Sequence, residues 1–540
     1  MAWSWKTRPA RAAALAGALA AVGLVGGCLI GSSGIVPPTK QIYFPTAMVV
    51  SPGRTTLYVA NSDFDLQFNG GTVQALALGG NGGLRTTART VANQLQAGAT
   101  QSQACTAIGA KPNDQAFQHP GPCTALSANP FIQKSATIGA FASSATILSR
   151  SDGQPGQRLF LAVRGDPSVT YFDVTDDRDP SNLVAPCSSA ICLECGAAAS
   201  SNRCGRSHLI GTDPFTNPRL LLLPTEPAGI DGTAIPVESG DALVVANQTT
   251  ASASLVVNRW PGASATGPTL EFVLPNLASD PISVTAIPLP RYAQVAAQST
   301  GYLPSFIISH QNAADLTVVQ YQSDEQSRPA RPFISLEAIV PVTLSNIGTD
   351  QRGIAIDATL RQACEATCAA TDLMCMQNCV AIPLDLYVAS RSPAALLVGQ
   401  IVSTIQISNG QPGIRDSFSL TESFPLTTGP SLVRIGKVVG PDGTLQPRVF
   451  VVSFDGRYIF GFDPTIRDFD IHLKTGRGPF GLGIDAGTAD DGSGAEAYLY
   501  VGHFTESYIG VVDLDTRRPT YGSFLVNVGP PAAPREDQSP

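Results

Sequence analysis

The sequence predicts an all-β fold of many short strands, and three observations point there. Only 14% of the 540 residues are charged, while 51 are glycine and 42 are proline, so long amphipathic helices are scarce. Short runs of β-branched residues end in turn residues at close intervals, as strands do. One cadence of strand, turn, strand, loop and strand recurs seven times, which predicts a repeat architecture.

The N-terminus has the layout of a secretory signal. Lys6, Arg8 and Arg11 precede residues 12–27, which are all Ala, Gly, Leu or Val. That run is too short to span a bilayer comfortably. It ends in Val25-Gly26-Gly27-Cys28, which resembles a bacterial lipobox. The resemblance implies that residues 1–27 are removed and that Cys28 carries the lipid, palmitate included.

Residues 28–40 would then form a lipidated tether, flexible in its Gly/Ser part and stiffer at its prolines. Leu29 follows the cysteine, whereas inner-membrane retention signals usually show Asp there, so the outer membrane is favoured. The alternatives are an ordinary secreted protein with a chance cysteine, or a weak anchor helix. We therefore expect a protein of the bacterial cell envelope.

The net charge of the chain limits which classes of binding partner are expected. Loss of the signal removes three basic residues and no acidic ones, so the charge falls from −8 to −11. A charge of this sign argues against nucleic acid and anionic lipid as partners. No second long apolar run follows, so the lipid is expected to be the one membrane attachment.

The cysteine count fits an exported protein. Without Cys28, an even ten cysteines remain in three local groups, and exported proteins keep disulfides. The groups are Cys105 and Cys123; Cys187, Cys192, Cys195 and Cys204; and Cys364, Cys368, Cys375 and Cys379.

The third group predicts a small helical hairpin. Cys364 and Cys368 share one helix face, as do Cys375 and Cys379, and a short turn separates the pairs. This looks like a twin CX3C hairpin, which implies the disulfides Cys364–Cys379 and Cys368–Cys375. A metal cage and a catalytic redox site are the alternatives.

In the second cysteine group, a zinc site is a stronger alternative to disulfides than it is in the third group. Cys192 and Cys195 form a C-x2-C pair, with Cys187, Cys204 and His208 nearby. Such spacing occurs in zinc sites as well as in disulfide-rich loops. We expect disulfides here, with zinc, or a periplasmic metal or redox carrier, as the weaker possibility.

The seven repeated units define the architecture. The clearest are residues 48–78 and 481–515, with LYVAN and LYVG as their central strands. The other five are residues 158–174, 241–257, 304–321, 384–401 and 447–463. The seven central strands are centred on Val59, Ala162, Val245, Ile308, Val388, Val451 and Val501.

These units resemble the YVTN-type repeat, which is also the repeat of lactonase-like propellers. Ser51-Pro52-Gly53 with Leu57-Tyr58-Val59-Ala60-Asn61 matches it best, and Leu499-Tyr500-Val501-Gly502 with Val511-Val512-Asp513 is second. The resemblance implies a seven-bladed β-propeller. A four-stranded sheet cannot bury both faces alone, whereas seven arranged radially bury them against each other.

The spacing of the units predicts where the fold is decorated. Most intervals exceed the 40–50 residues or so that a blade needs, so insertions are expected. We place them at about 80–136, 176–215 and 358–382, within a single domain of residues 41–530. The cysteine groups fall in these insertions, and residues 531–540 are expected to be a disordered tail.

The sequence motifs that could indicate nucleotide or metal binding are weak. Residues 476–481 fit G-x-G-x-x-G but contain a proline and lead into a strand, so a nucleotide site is not expected. Two acidic clusters could hold Ca²⁺, although solvated acidic turns are commoner. They comprise Asp173, Asp176, Asp177 and Asp179, and Asp485, Asp490 and Asp491. No cofactor is predicted beyond these weak Ca²⁺ and Zn²⁺ possibilities.

The residues that end the seven central strands are all polar in the predicted register: Asn61, Arg164, Asn247, His310, Ser390, Ser453 and His503. They would lie around one face, where they could bind a ligand at the channel mouth. The alternative, which we favour, is that polar residues satisfy the backbone of the turns. No residue is singled out as catalytic.

Two classes of function remain. The favoured one is a non-enzymatic envelope lipoprotein whose propeller is a scaffold for binding a protein, peptide or glycan. The resemblance also allows a lactonase-like hydrolase acting on a small ester or lactone, because fold alone does not decide function. The orientation of the protein in the envelope, periplasmic or surface-facing, stays open.

Overall fold

The chain folds as a seven-bladed β-propeller, as predicted. The computed structural model describes residues 34–114, 119–150, 153–179, 181, 183–197, 201–236, 238, 240–260, 267–296, 302–324, 331–342, 344, 348–408 and 411–530. Seven antiparallel sheets follow one another along the chain, and their strands pair in sequence order. The predicted signal peptide, Cys28 and the tail at 531–540 lie outside the described residues.

Each blade contributes four strands in order, with a fifth short strand in blade two. Blades one to three comprise β1 (Pro45–Val50), β2 (Thr56–Asn61), β3 (Thr72–Ala77), β4 (Ile132–Thr137); β5 (Ala142–Ser149), β6 (Gln157–Val163), β7 (Ser168–Val174), β8 (Leu193–Glu194), β9 (Leu209–Ile210); and β10 (Pro227–Ile235), β11 (Gly240–Asn247), β12 (Ser252–Arg259), β13 (Thr269–Leu274). Blades four and five comprise β14 (Pro281–Ala286), β15 (Ser305–His310), β16 (Asp315–Asp324), β17 (Arg331–Pro341); and β18 (Gln351–Asp357), β19 (Leu384–Arg391), β20 (Ala394–Ser408), β21 (Gln411–Pro425). Blades six and seven comprise β22 (Pro430–Val439), β23 (Leu445–Ser453), β24 (Tyr458–Asp463), β25 (Asp468–Lys474); and β26 (Pro479–Thr488), β27 (Ala495–His503), β28 (Tyr508–Asp513), β29 (Phe524–Val528). All seven predicted central strands are the second strands of their blades.

The core consists of seven apolar layers, one between each pair of neighbouring blades. Alternation along each strand sends successive side chains to opposite faces of the blade. Leu57 and Val59 therefore pack toward blade seven, whereas Tyr58 and Ala60 pack toward blade two. The same division recurs at the other interfaces. Because each blade needs both neighbours, the ring has to close.

The insertion after β3 contributes to that closure. It carries helices α1 (Leu84–Gln96) and α2 (Gln101–Thr106), whose buried residues join the core between blades seven and one. Beyond them, Leu126 pairs in parallel with β29. The Leu126 N–H donates to the Asn527 carbonyl at 2.8 Å, and the Gly529 N–H donates to the Leu126 carbonyl at 2.9 Å. Blade one thus holds the outer edge of blade seven.

The predicted disulfide-closed hairpin is present. Helices α4 (Thr359–Thr367) and α5 (Leu373–Val380) lie between β18 and β19 and are joined by Cys364–Cys379 and Cys368–Cys375. They pack against helix α3 (Arg291–Val295) through a small core of their own. The remaining disulfides are Cys105–Cys123, Cys187–Cys192 and Cys195–Cys204. Within the described residues, no helix is long and apolar enough to cross a membrane.

Candidate ligand site in the axial channel

One backbone hydrogen bond repeats in all seven blades and defines equivalent positions. The residue before each innermost strand accepts, through its carbonyl, the N–H of a residue at the end of the second strand, over 2.7–3.2 Å. The acceptors are Phe44, Phe141, Glu226, Asp280, Asp350, Gly429 and Gly478. The donors, called the rim ring below, are Ser62, Arg164, Gln248, Gln311, Arg391, Phe454 and Phe504.

The backbone around this bond is equally regular. Six of the seven acceptors have a positive φ, the left-handed conformation that side chains usually avoid: Phe44, Phe141, Glu226, Asp280, Gly429 and Gly478. Each innermost strand then shifts register immediately, as at a β-bulge. Seven copies of one turn show that the rim-ring residues occupy one structural position on one face.

The predicted ring differs from the rim ring, and one register assignment was wrong. Val163 pairs with Ala142 as Asn61 pairs with Pro45, so Val163 is the blade-two equivalent of Asn61 and Arg164 lies one residue further. The other six predicted residues occupy the position before the rim ring. None has any exposed surface: Asn61, Asn247, His310, Ser390, Ser453 and His503.

Some of these buried residues hydrogen-bond near the ends of the strands. Asn61 accepts the Tyr43 N–H at 3.1 Å and donates to the Thr72 hydroxyl at 3.0 Å. Nε2 of His310 lies 2.8 Å from the Thr317 hydroxyl. His503 stacks on Tyr508 with ring centroids 3.9 Å apart, and burial lowers its pKa to about 3. Their burial favours the turn-satisfying interpretation over direct ligand contact.

The face that carries the rim ring has two halves of different chemistry. Blades six, seven and one, and the start of blade two, carry phenylalanines that touch edge to face or at a tilt, with ring centroids 5.1–6.4 Å apart. This aromatic cluster consists of Phe44, Phe64, Phe141, Phe454, Phe480 and Phe504. Such pairs add stability beyond simple burial.

Blades two to five carry the polar half. Arg164 donates to the Gln248 side-chain carbonyl at 3.2 Å, and Gln248 donates to that of Gln311 at 2.9 Å. Arg164 also pairs with Glu226 at 3.2 Å, and Arg391 pairs with Asp455. The Arg164 side chain is therefore held in place by Gln248 and Glu226, which both belong to the neighbouring blade.

Below the rim ring, the seven innermost strands enclose an axial channel of about 690 Å³. About half of the residues in its wall are aliphatic, and they include Met48, Val49, Ile147, Ile230, Ile354, Ile435 and Ile484. Hydroxyl side chains, Asp231, Arg164, Arg352, Arg391, Arg434, Phe454 and Phe480 also line it. A concave cavity of this size with mixed apolar and polar walls can hold a ligand.

Strand register identifies one layer at mid-depth that holds two opposite charges. Its seven members are Val49, Thr146, Asp231, Thr285, Ala355, Arg434 and Gly483. Asp231 belongs to blade three and Arg434 to blade six, which are as far apart as two blades in a ring of seven can be. The two groups therefore face the channel from opposite walls.

Asp231 is well provided with donors. Its carboxylate accepts the Thr146 hydroxyl at 3.0 Å and the N–H groups of Ala286 and Gly232, each at 2.9 Å. Burial nevertheless raises the pKa of Asp231, against the opposing effect of these bonds and of the Arg434 charge.

Arg434 is much less well provided. Its one hydrogen bond within the described chain runs 3.4 Å to the Val433 carbonyl. Among the described residues, no carboxylate lies within 4.0 Å of it, whereas the other channel arginines, Arg164, Arg352 and Arg391, each have one. Burial lowers the pKa of Arg434, and the Asp231 charge only partly offsets this effect.

The residues suggested as metal ligands have protein partners. Cys187, Cys192, Cys195 and Cys204 are in disulfides, and His208 stacks on Tyr171 at 4.2 Å. In the acidic clusters, Asp173 pairs with Arg158, Asp176 with Arg178, and Asp485 and Asp490 with Arg85. Asp177 accepts from Ser51 and Thr55, Asp179 from Ser181, and Asp491 lies 3.5 Å from Arg89.

Sequence reasoning missed the mid-channel pair because it compared only the second strands. The signal was present in the first strands, where AGIDG and LVRIG place one charge inside an otherwise small or aliphatic run. An alignment of the first strands of the seven units would have placed Asp231 and Arg434 at equivalent positions. Because burial of a charge costs free energy, a charged residue at such a position indicates a functional or structural role.

No protein-family model matches the chain, and no curated protein matches it. Solved structures that are similar to the chain were found. A hydrazine synthase structure from Kuenenia stuttgartiensis is similar at 9% identity and TM-score 0.42, over 90% of this chain and 98% of that one. The dihydro-heme d1 dehydrogenase NirN is similar at 11% and 0.37, over 91% and 68%. Apo AztD from Citrobacter koseri is similar at 11% and 0.32, over 81% and 88%.

Proposed function

We propose that this chain is a non-enzymatic binding protein of the bacterial cell envelope. Its axial channel takes the carboxylate end of a peptide, which enters from the face of the rim ring. The observation that carries the proposal is Arg434, a guanidinium inside the channel with no carboxylate partner in the described chain.

The energetics of Arg434 favour an anionic ligand. A charge withdrawn from bulk water costs free energy unless it is paired and hydrogen-bonded. Arginine presents a planar fork of donors that matches a carboxylate in two parallel hydrogen bonds. A ligand carboxylate would supply the partner that the protein lacks.

A peptide end fits the remaining surfaces better than a small anion does. The aliphatic channel wall offers apolar contact to side chains of a bound segment. At the rim, Gln248 and Gln311 offer amide donors and acceptors of the kind that pair with a peptide backbone. The aromatic cluster of the rim offers large, rigid contact surfaces.

The residues of the channel support binding over hydrolysis. Its described lining includes Asp231 and several hydroxyls, but no His, Cys, Glu or Lys. The histidines at strand ends, His310 and His503, are buried in blades four and seven, away from this lining. The one carboxylate of this described lining, Asp231, already accepts the Thr146 hydroxyl and two backbone N–H groups, so it is positioned as a hydrogen-bond acceptor within the wall.

The envelope location is supported by the disulfides. All ten cysteines other than Cys28 are paired in five disulfides, which persist in oxidising compartments. Lipid attachment at Cys28 is tested by palmitate labelling in a bacterial host. The wild type should be labelled and Cys28→Ala should not; equal labelling of both would disprove the anchor.

The binding proposal is tested by selection from hexapeptide libraries on beads, using soluble protein that starts at residue 34. One library is attached through its N-termini, so that the α-carboxylates are free, and a matched library is attached through its C-termini. We expect retention on the first only, with loss of retention in Arg434→Gln. Arg415→Gln, which changes an exposed arginine on β21, is the matched control. Retention on both libraries, or by Arg434→Gln, would overturn the proposal.

A further inference from the structure

We infer that the rim face beside blade one rests on the lipid bilayer, with exposed apolar side chains of that face inserted among lipid headgroups of zero net charge. The inference builds on the proposed lipid at Cys28. The proposed partner of this face is a phospholipid surface. Two observations point to it: the place where the N-terminal segment meets the propeller, and the exposed side chains around that place.

The chain is attached to blade one from its first described residue. The Asn69 side-chain amide reaches the Gly34 carbonyl at 3.4 Å, and the Asn69 N–H donates to the Ile35 carbonyl at 2.9 Å. Further along, Ile42 and Tyr43 are buried. The point where the tether meets the protein is therefore fixed at Asn69.

The reach of the tether limits the distance to the membrane. Six residue steps separate Cys28 from Gly34, and an extended chain spans at most about 3.5 Å per residue. A lipid on Cys28 would hold Asn69 within about 20 Å of the bilayer surface. This reach is short beside the dimensions of a seven-bladed ring.

Asn69 lies on the rim face. It belongs to residues 62–71, the loop between β2 and β3, which begins at the rim-ring residue Ser62. Among the strand connections of a blade, this one lies at the same end as the start of the innermost strand, because Asn61 pairs with Pro45. The tether therefore brings that end toward the lipid.

The side chains around this point are unusually apolar for a protein surface. Ile35, Val36, Phe64 and Leu66 are 67%, 55%, 56% and 62% exposed. Phe64 also contacts Phe44, Phe141 and Phe504, which continue the apolar surface into the aromatic cluster. Exposed apolar groups next to a fixed anchor gain free energy when they enter the bilayer interface.

The charges of the same loop select the kind of lipid. Its ionisable residues are Asp65, which is exposed, and Asp63, which is buried, and the chain without residues 1–27 carries a net charge of −11. Burial raises the pKa of Asp63 to about 6. An acidic loop is repelled by anionic headgroups, so a bilayer rich in phosphatidylethanolamine is the expected surface. The channel mouth lined by Arg164 and Arg391 would then open toward that bilayer.

The experiment replaces the lipid anchor, so that it does not depend on modification of Cys28. A hexahistidine tag replaces residues 1–27, Cys28→Ser is introduced, and the protein is bound to phosphatidylethanolamine-rich vesicles through a nickel-chelating lipid. The vesicles carry a lipid-attached nitroxide quencher. A fluorophore is placed at Phe64→Cys or, on the opposite face between β22 and β23, at Asp442→Cys.

We expect at least threefold stronger quenching at position 64 than at position 442. Adding Ile35→Ser and Leu66→Ser should remove most of the difference without changing thermal unfolding, because both side chains are exposed. Equal quenching at the two positions, or stronger quenching at 442, would overturn the inference.

Hydrogen–deuterium exchange of the unlabelled, tagged protein provides a second readout that needs no introduced cysteine. Residues 62–71 should be protected on vesicles relative to solution, and protection of the opposite face instead would contradict the inference. Peptide selection is measured without vesicles, and palmitate labelling uses the natural chain. Failure of channel binding, of lipidation or of the membrane contact can therefore be told apart.

Discussion

At the scale of single residues, arginines in this fold illustrate two different uses of a buried charge. Arg448 bridges Asp463 at 2.7 Å and Asp470 at 2.8 Å between neighbouring strands of blade six. Arg434, in the adjacent strand of that blade, has no such partner in the described chain. The first arrangement stabilises the blade, whereas the second leaves a group that a ligand can satisfy.

This contrast predicts opposite effects of the same substitution. Arg434→Met should leave unfolding free energy unchanged or raise it by about 1 kcal/mol, because an unpaired charge leaves the cavity. Arg448→Met should lower it by about 2–3 kcal/mol, because two carboxylates lose their partner. Chemical denaturation of both variants measures this. Comparable destabilisation by the two changes would show that Arg434 has a structural role.

His503 predicts a specific acid sensitivity. Burial lowers its pKa from 6.5 to about 3, so the unfolded chain binds a proton that folded His503 does not accept. Stability should therefore be full above pH 6.5 and fall between pH 6.5 and 3, by up to about 1.4 kcal/mol per pH unit from this residue.

Replacement with phenylalanine, which can keep the stack on Tyr508, should remove that contribution. Urea unfolding of His503→Phe at pH 7, 5 and 4 measures the difference from the wild type. His472→Phe, at an exposed position on β25, is the control. A wild-type slope that persists unchanged in His503→Phe would refute the assignment.

At the scale of elements, the α1–α2 insertion and the α4–α5 hairpin have different structural roles. The insertion of α1 and α2 connects the first and last blades through Leu126 and β29. Arg85 strengthens it by pairing with Asp485 at 2.8 Å and with Asp490 at 2.5 Å. The α4–α5 hairpin of blade five instead packs on α3, which belongs to blade four, and on the ends of β20 and β21.

Removal of the disulfides should therefore have unequal effects. Cys105→Ser with Cys123→Ser should cost about 3 kcal/mol and speed amide exchange along β29, since the closing contact is loosened. Replacing Cys364, Cys368, Cys375 and Cys379 with Ser should unfold the hairpin and leave exchange in the blades unchanged. Exchange measured by mass spectrometry separates these outcomes; blade-wide exposure in the fourfold variant would contradict the account.

The predictability of the elements follows from their local chemistry. The second strands are fully buried apolar runs, and the cysteine hairpin has its pairs one helical turn apart, so both were visible in the sequence. The predicted register treated Arg164 as the strand-end residue of blade two. That position is occupied by the apolar Val163, whereas the other blades carry a polar residue there. The closure between Leu126 and β29 joins residues about four hundred positions apart and has no local signature.

At the scale of the whole molecule, the ring concentrates different chemistries along one axis. Seven equivalent turns place phenylalanines on one side of the rim and arginine with glutamine on the other. The seven first strands then bring Asp231 and Arg434 to one depth, although more than two hundred residues separate them. The channel site exists only because the ring closes, so loosening the closing insertion should weaken ligand binding as well as stability.

We propose that Arg434 binds a ligand carboxylate in the axial channel. A calorimetric titration of one selected hexapeptide, as free acid and as C-terminal amide, into the wild type and Arg434→Gln measures this interaction. The wild type should prefer the acid by at least tenfold, about 1.4 kcal/mol. In Arg434→Gln the two affinities should be equal within about twofold, at the level of the wild-type amide complex. The same acid preference in both proteins would show that the carboxylate binds elsewhere and would contradict the claim.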